Sequence, residues 1–379
     1  TKVSKVKRPG ALTAAGIQAL AHGSESVLYF QIRQSRGSSE KFHGAVIDHS
    51  CRNDGRVFRE VSELGKELEG LAEITGSEVS ADAAVIYDTE NRWALEDARG
   101  PRNENLHYHE SALKSYKALR HRGLNVDVIH ASASLEGYRL VVAPMLYLFH
   151  NGFAQKLREF VEQGGSFVLT YWSGIVDWDD RCFLGGTPHG VMDVFGMRRT
   201  ETDALYETER NLLCPAKGSF MKGSYECRYL CDLITLEGGR ALMTYGSEFY
   251  KDTPAVTENC FGKGRAYYVG ADAEQAFYDE LYGYLSRQAQ LKPVVRGTVP
   301  EGVEVSGRNS DDTTYVFVQN FRNRPADLRG MGLEGEILYG RSRETLEAYE
   351  SLVLRVSHKQ KNLPADRKNV SSEPASGCL

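Results

Sequence analysis

Hydrophobic positions along the chain change their period several times, and each change marks an element. Leu12 to His22 has helical composition and stops at Gly23, a residue that tolerates the left-handed turn after a helix. Val27-Leu28-Tyr29-Phe30-Gln31-Ile32 is β-branched and aromatic, and it predicts a buried strand. A polar loop follows at Ser35-Arg36-Gly37-Ser38-Ser39. Phe58, Val61, Leu64, Leu68 and Leu71 then recur at spacings of three and four, which marks one helix face. Helix, strand, loop and helix together are the repeating unit of a β/α barrel. One or two units cannot close such a barrel, so this piece needs a partner, or an upstream sequence, to bury its apolar faces.

From Asp82 onward strands and helices alternate. Strands are expected at Ala83–Tyr87, Val126–Ile129, Leu140–Pro144, Ser166–Tyr171 and Arg265–Val269. Helices are expected over His109–Arg122, around Phe153, Leu157, Phe160 and Val161, and around Phe277, Leu281 and Leu285. This alternation implies a mostly parallel sheet covered on both faces. Trp172 to about Thr253 reads as a long irregular excursion. After Leu291 the pattern turns to β, with Thr313–Val318 and Leu352–Val356 as strands of a small all-β module. Ser357 to Leu379 has almost no apolar residues and is expected to be disordered. The expected divisions are thus 1–78, 79–290, 291–356 and 357–379.

The 379 residues carry a net charge of −5, which gives no basic footprint for nucleic acid. No apolar run reaches membrane-spanning length. Thr1 to Lys7 is basic, but no apolar segment follows it, so no secretion signal is expected; the missing initiator Met suggests a fragment or processed form. The seven cysteines are scattered, and Cys227 and Cys231 have no second ligand pair nearby for zinc. Free thiols in a reducing cytoplasm are therefore expected, with no metal and no cofactor.

The stretch from Tyr29 to Gly44 carries the candidate chemistry. It leaves a strand at its C-terminal end, where barrel enzymes build their sites. A sugar needs an aromatic ring for the apolar face of the pyranose and carboxylates or imidazoles for its hydroxyls. Phe30, Glu40 and His43 are of those types. The plainer alternatives are a core phenylalanine and a solvated Glu-x-x-His pair, or half of a metal site. Asp177, Asp179 and Asp180 read as a solvated loop, and Arg102, His107 and His109 as interface or helix-start residues. Gln163-Gly164-Gly165 ends a helix and so is no phosphate loop.

Lys7-Arg8-Pro9-Gly10, Gln18-Ala19-Leu20-Ala21-His22-Gly23 and the Tyr29–Gly44 stretch closely resemble the last barrel elements of the glycoside hydrolase family 42 β-galactosidases. Asn91–Glu96, Gly100–Asn103, Ala143–Met145, Thr170–Val176 and Gly223–Cys227 resemble that family's trimerisation domain, and the segment after Leu291 resembles its C-terminal β domain. The resemblance implies the end of a (β/α)8 barrel, then a flavodoxin- or glutamine-amidotransferase-like α/β domain, then a small all-β domain. It implies retaining hydrolysis of terminal β-D-galactosides without an obligatory cofactor, in a homotrimer. Phe30, Glu40 and His43 match residues lining the family's galactose subsite, and Arg33 matches an arginine of the same strand. Ile32 departs from the tryptophan of many relatives, and Thr13-Ala14-Ala15 from an Arg-Leu-Trp of some.

A retaining enzyme uses two glutamates. In the family both precede the position of Lys7, and Thr1 to Val6 hold no carboxylate. No catalytic residue is therefore expected here, and the chain alone is expected to be inactive. In the amidotransferase-like domain, Pro144-Met145-Leu146-Tyr147 stands where such folds carry a nucleophile and offers none. The rival readings are a non-catalytic trimerising scaffold and an unrelated α/β binding protein.

Overall fold

The computed structural model describes residues 3–104 and 106–358. The expected disordered tail lies outside the described residues from 359 onward; Ser357 closes the last strand.

The first segment holds two helices, α1 (Ala11–Ala21) and α2 (Arg56–Glu69). They pack closely because Gly16 has no side chain; a Cβ there would stand 2.7 Å from Leu64 Cδ2. The strand expected over Val27–Ile32 does not form. The segment is irregular, with bends at Phe30 and Ile32, and has only an isolated parallel bridge, Arg33 to Ile47, beside it. Among the described residues, no backbone N–H from Val27 to Arg33 donates to another group. A strand needs a neighbour to form its ladder, and among the described residues only Val46 and Ile47 lie alongside, at its end.

The middle of the chain begins with β1 (Ala83–Ile86), α3 (Thr89–Asp97), α4 (Tyr108–Arg120), β2 (Val126–Ile129), β3 (Leu140–Ala143), α5 (Phe153–Glu162) and β4 (Ser166–Thr170). It continues with the short α6 (Met192–Phe195), then β5 (Met197–Ala204), β6 (Asn211–Pro215), β7 (Tyr225–Leu236), β8 (Arg240–Tyr245) and β9 (Pro254–Phe261). β10 (Gly264–Val269), β11 (Ala271–Ala273) and α7 (Gln275–Gln288) complete it. All eleven strands join one sheet, ordered β11-β7-β6-β8-β9-β10-β4-β3-β1-β2, with β5 on β7. Strands β2-β1-β3-β4-β10 are parallel and form the doubly wound half.

The expected irregular excursion is corrected: it contains four strands, β5 to β8, which with β9 and β11 form an antiparallel half that doubles the sheet's width. β5, Met-Arg-Arg-Thr-Glu-Thr-Asp-Ala, shows why. It is polar and half-exposed, and its pairing with β7 is broken by a bulge, so no clean alternation survives in the sequence.

Alternate residues of the parallel strands point to opposite faces. Val85, Val142, Val168 and Tyr267 pack with Phe277, Leu281 and Leu285 of α7. Ala84, Val141, Phe167 and Tyr268 pack with Phe153, Leu157 and Val161 of α5. On the second face, Arg158 of α5 holds Asp193 of α6 through bonds of 2.7 and 2.8 Å.

The last module has β12 (Val303–Ser310), β13 (Thr313–Asn320), β14 (Ala326–Asp327), β15 (Glu336–Tyr339), β16 (Thr345–Leu346) and β17 (Ser351–Ser357). Four of these form an antiparallel sheet, β12-β13-β17-β15. One face packs Val305, Val316, Val318, Leu352 and Leu354 into the module's own core. The other brings Tyr315, Phe317 and Val353 against Ile17, Leu20, Leu64, Leu71 and Ile74. The first segment therefore finds a partner within this chain for its helices.

Arg308 of β12 is fully buried at that junction. It donates to the carbonyls of Leu20 (2.9 Å), Ser24 (3.0 Å) and Ser77 (2.7 Å), and to Glu25 Oε1 (2.6 Å). Arg308→Ala strands three carbonyls and is expected to cost about 3 kcal/mol or more in urea unfolding. Arg308→Lys is expected to recover little of this, because a single ammonium does not reproduce the guanidinium fork. A loss under about 1 kcal/mol would contradict this role.

Arg158 also sets an acid dependence. Its guanidinium holds the Asp193 carboxyl below the ordinary carboxylate range. A depressed folded value contributes stability above the unfolded value of about 3.9, and the contribution disappears as pH falls through the folded value. Asp193→Asn is thus expected to lower the thermal midpoint at neutral pH, with the difference closing in acid below about pH 4. A difference independent of pH would contradict this ion-pair contribution.

Candidate functional site

The Val27–Ile32 segment after α1 has two unlike faces. Val27 and Tyr29 are half-buried and pack against the core shared with α2 and the β module. Leu28, Phe30 and Ile32 are 90%, 80% and 69% exposed. Three large apolar side chains in a period-two row, on backbone with unpaired donors, have the character of a sheet strand lacking its neighbours. Burial on one face comes from helices, as it does for a barrel strand, whose opposite face looks inward.

The segment ends in a loop that folds back on itself. Val46 and Ile47 N–H groups donate to the Gln31 (3.0 Å) and Ile32 (2.7 Å) carbonyls, and Gln34 N–H donates to Ile47 O (3.0 Å). The Gln34 amide staples the loop: its Nε2 donates to His43 O (2.9 Å), and its Oε1 accepts from His49 N–H (3.2 Å). His49 Nε2 lies 2.8 Å from Ser35 O. Gln34 and His49 escaped the sequence reading, since polar loop residues give no periodic signal.

The four residues singled out from the sequence fall on this one unit. Phe30 and Arg33 sit near the end of the Val27–Arg33 segment, and Glu40 and His43 sit on the loop. Glu40 and His43 share a turn closed by His43 N–H on Glu40 O (2.9 Å). All four are exposed. Among the described residues, no side-chain hydrogen bond joins one of the four to another. The neighbouring carboxylates are already engaged: Glu60 accepts from the Leu12 and Thr13 N–H groups that open α1, Asp54 pairs with Arg52, and Asp48 accepts from Ser50.

In the α/β domain, the sharp turn after β3 is present: Met145 is buried with φ +41°. Its side chain is a thioether, which is no nucleophile at such an elbow. Asp177 and Asp179 bind Arg181 in a solvated loop. Arg102 bonds Leu205 O (2.7 Å) and Glu207, and His107 stacks on Tyr229. Cys227 and Cys231 are buried, unpaired neighbours across β7; the contact with Cys231, with burial, pushes the Cys227 thiol well up. No described helix is long and apolar enough to cross a membrane.

Comparison with known proteins accounts for all three parts. Family models match as β-galactosidase over residues 1–71, β-galactosidase trimerisation domain over 81–292 and β-galactosidase C-terminal domain over 302–356. The β-galactosidase BglY of Alicyclobacillus acidocaldarius is 46% identical over 340 residues, which is 89% of this chain and 49% of that protein. The β-galactosidase Pbg of Clostridium perfringens is 44% identical over 335 residues, 87% of this chain and 49% of that protein. The crystal structure of a β-galactosidase from a Rahnella species superimposes with a TM-score of 0.89 at 42% identity, over 94% of this chain and 53% of the other. A catalytic mutant of Gan42B, a family 42 β-galactosidase from G. stearothermophilus, gives 0.87 at 39% identity, over 94% and 52%. The chain spans about half the length of the curated relatives it matches. With three consecutive domains matched in order, the chain belongs to the glycoside hydrolase family 42 β-galactosidases and corresponds to the C-terminal part of that architecture.

Proposed function

We propose that this chain supplies one wall of a galactose pocket in a retaining β-galactosidase, and that by itself it does not cleave galactosides. The observation that carries this reading is the Val27–Arg33 segment, with free N–H groups and a bare apolar row, ending in the loop of Glu40 and His43. Placed in a barrel, the bare row faces the interior, and Phe30 and the loop stand at the mouth. There the Phe30 ring stacks on the apolar face of galactose, Glu40 accepts from hydroxyls, His43 serves another hydroxyl, and Arg33 borders the subsite. Cleavage needs two carboxyls about 5–5.5 Å apart in opposite roles. Glu40 provides one at most on this loop, so a second segment must provide the reacting pair. No cofactor enters this chemistry.

Three chains are proposed to assemble through the α/β domain. Exposed Trp93, Leu184, Tyr206 and Phe249 on that domain support an interface, as large apolar side chains bared on a surface do. The six described cysteines are all unpaired, which supports a reducing cytoplasmic setting.

The test is reconstitution. Alone, the chain is expected to leave nitrophenyl β-D-galactoside intact; joined to the N-terminal half of BglY, it is expected to hydrolyse it. In the joined protein, Glu40→Gln and His43→Ala are each expected to lower kcat/KM about tenfold to a hundredfold. Turnover by the chain alone, or unchanged kcat/KM in both variants, would overturn the reading. Light scattering is expected to return the mass of three chains, and a persistent monomer would contradict the assembly.

A further inference from the structure

Sheet order β2-β1-β3-β4-β10 places a topological switch point between β1 and β3. In open α/β sheets of this order, ligands sit outside the carboxyl ends of the strands at that point. Three chemically capable side chains lie just past those ends: Asp88 after β1, His130 after β2 and His150 after β3.

They converge tightly. Asp88 is fully buried, and its Oδ1 accepts from Asn91 N–H (2.9 Å) as the N-cap of α3. Its Oδ2 faces two imidazoles, His150 Nε2 at 2.8 Å and His130 Nε2 at 3.1 Å. The same His130 Nε2 stands 3.1 Å from Glu90 Oε2. Asp88, His130 and His150 each offer a ligand atom within 4.8 Å of the others.

This arrangement is poorly served by hydrogen bonds alone. One Nε2 carries at most one proton, yet His130 Nε2 faces two carboxylate oxygens. A cation between Asp88 Oδ2 and the two Nε2 atoms interacts favourably with all three, and Glu90, beside His130, supplies a second negative charge nearby. Ligands bound at 2.0–2.1 Å in tetrahedral directions stand about 3.3 Å apart, so the 2.8 and 3.1 Å contacts of Asp88 Oδ2 with the two imidazoles need to open by only a few tenths of an ångström. Ser132 N–H donates to His130 Nδ1 (3.2 Å) and Ser132 Oγ lies 2.7 Å from it, which fixes the ring; an ion at Nε2 requires Nδ1 to take the proton and donate to that Oγ. Access exists: a cleft of about 400 Å³ opens beside the cluster, with Ser132, His150 and Trp178 on its walls.

We propose that Asp88, His130 and His150 form a binding site for a divalent transition-metal ion of the zinc type. The site lies in the α/β domain and is independent of the galactose reading. Imidazole nitrogen with carboxylate oxygen favours zinc and its neighbours over magnesium or calcium, which prefer oxygen alone. The ion would tie β1, β2 and β3 together at one end of the sheet, so binding should stabilise the fold.

The experiment is calorimetric titration of the chelator-treated full chain with Zn²⁺, together with its thermal midpoint. One ion per chain and a raised midpoint are expected. His130→Ala, on a half-exposed side chain, and His150→Ala are each expected to weaken binding at least about tenfold. Asp88→Asn, which keeps the helix cap and removes the charge, is expected to do the same. His121→Ala, outside the cluster, is expected to bind as the native chain does. Circular dichroism of each variant keeps a folding failure distinct from a lost ligand. Absence of saturable one-per-chain binding, or equal affinity in the native chain and folded His130→Ala and His150→Ala variants, would overturn the proposal.

Discussion

Backbone N–H groups in an extended segment need acceptors, and this constraint governs the first eighty residues. From Val27 to Arg33 no such group is paired within the described chain, although the two carbonyls at Gln31 and Ile32 are. The same segment leaves Leu28, Phe30 and Ile32 in water, at a cost of roughly 1.5–3 kcal/mol each relative to full burial. A strand with one satisfied face and one bare face is half of an interaction. Under the proposed reading, the other half is the remainder of a barrel, and the bare face is the one that meets substrate.

The segment nonetheless has a fixed position, because its helices are anchored from behind. The C-terminal sheet buries alternate residues on opposite faces: Val316 and Val318 into its own module, Tyr315 and Phe317 against α1 and α2. Arg308 then ties the turn after α1 to the turn after α2 through four acceptors. Gln319 adds a bond to Ala14 O (2.9 Å), and Gln18 bonds Glu304 (3.0 Å). The small β module therefore serves as the platform that presents Phe30 and the stapled loop.

Much of this was legible in the sequence where one physical signal dominated. Val126–Ile129 was placed residue for residue, and the helices around Leu119, Leu157 and Leu281 were found because burial imposes their period. Reading failed where a second constraint competed. The Val27–Ile32 run has strand composition, but composition cannot supply a neighbour. β5 and β7 were hidden by polar residues and bulges, though the Glu237-Gly238-Gly239 turn between β7 and β8 was a usable signal. Phe30, Glu40 and His43 are candidates by residue type and, with Arg33, by resemblance, and the structure sets all four on one loop-bearing unit. Asp88, His130 and His150 are spread over more than sixty positions, and only the parallel sheet brings their ligand atoms together.

Amide hydrogen exchange over Val27–Arg33 tests the central claim most directly. In the isolated chain these amides are expected to exchange nearly as fast as an unstructured peptide, while those of Tyr315–Val318 stay protected. With the N-terminal half of a related β-galactosidase added, Val27–Arg33 is expected to become protected to a degree approaching that of the sheet. Strong protection in the isolated chain, or no gain once the other half is bound, would contradict the claim that this segment is a stave awaiting its barrel.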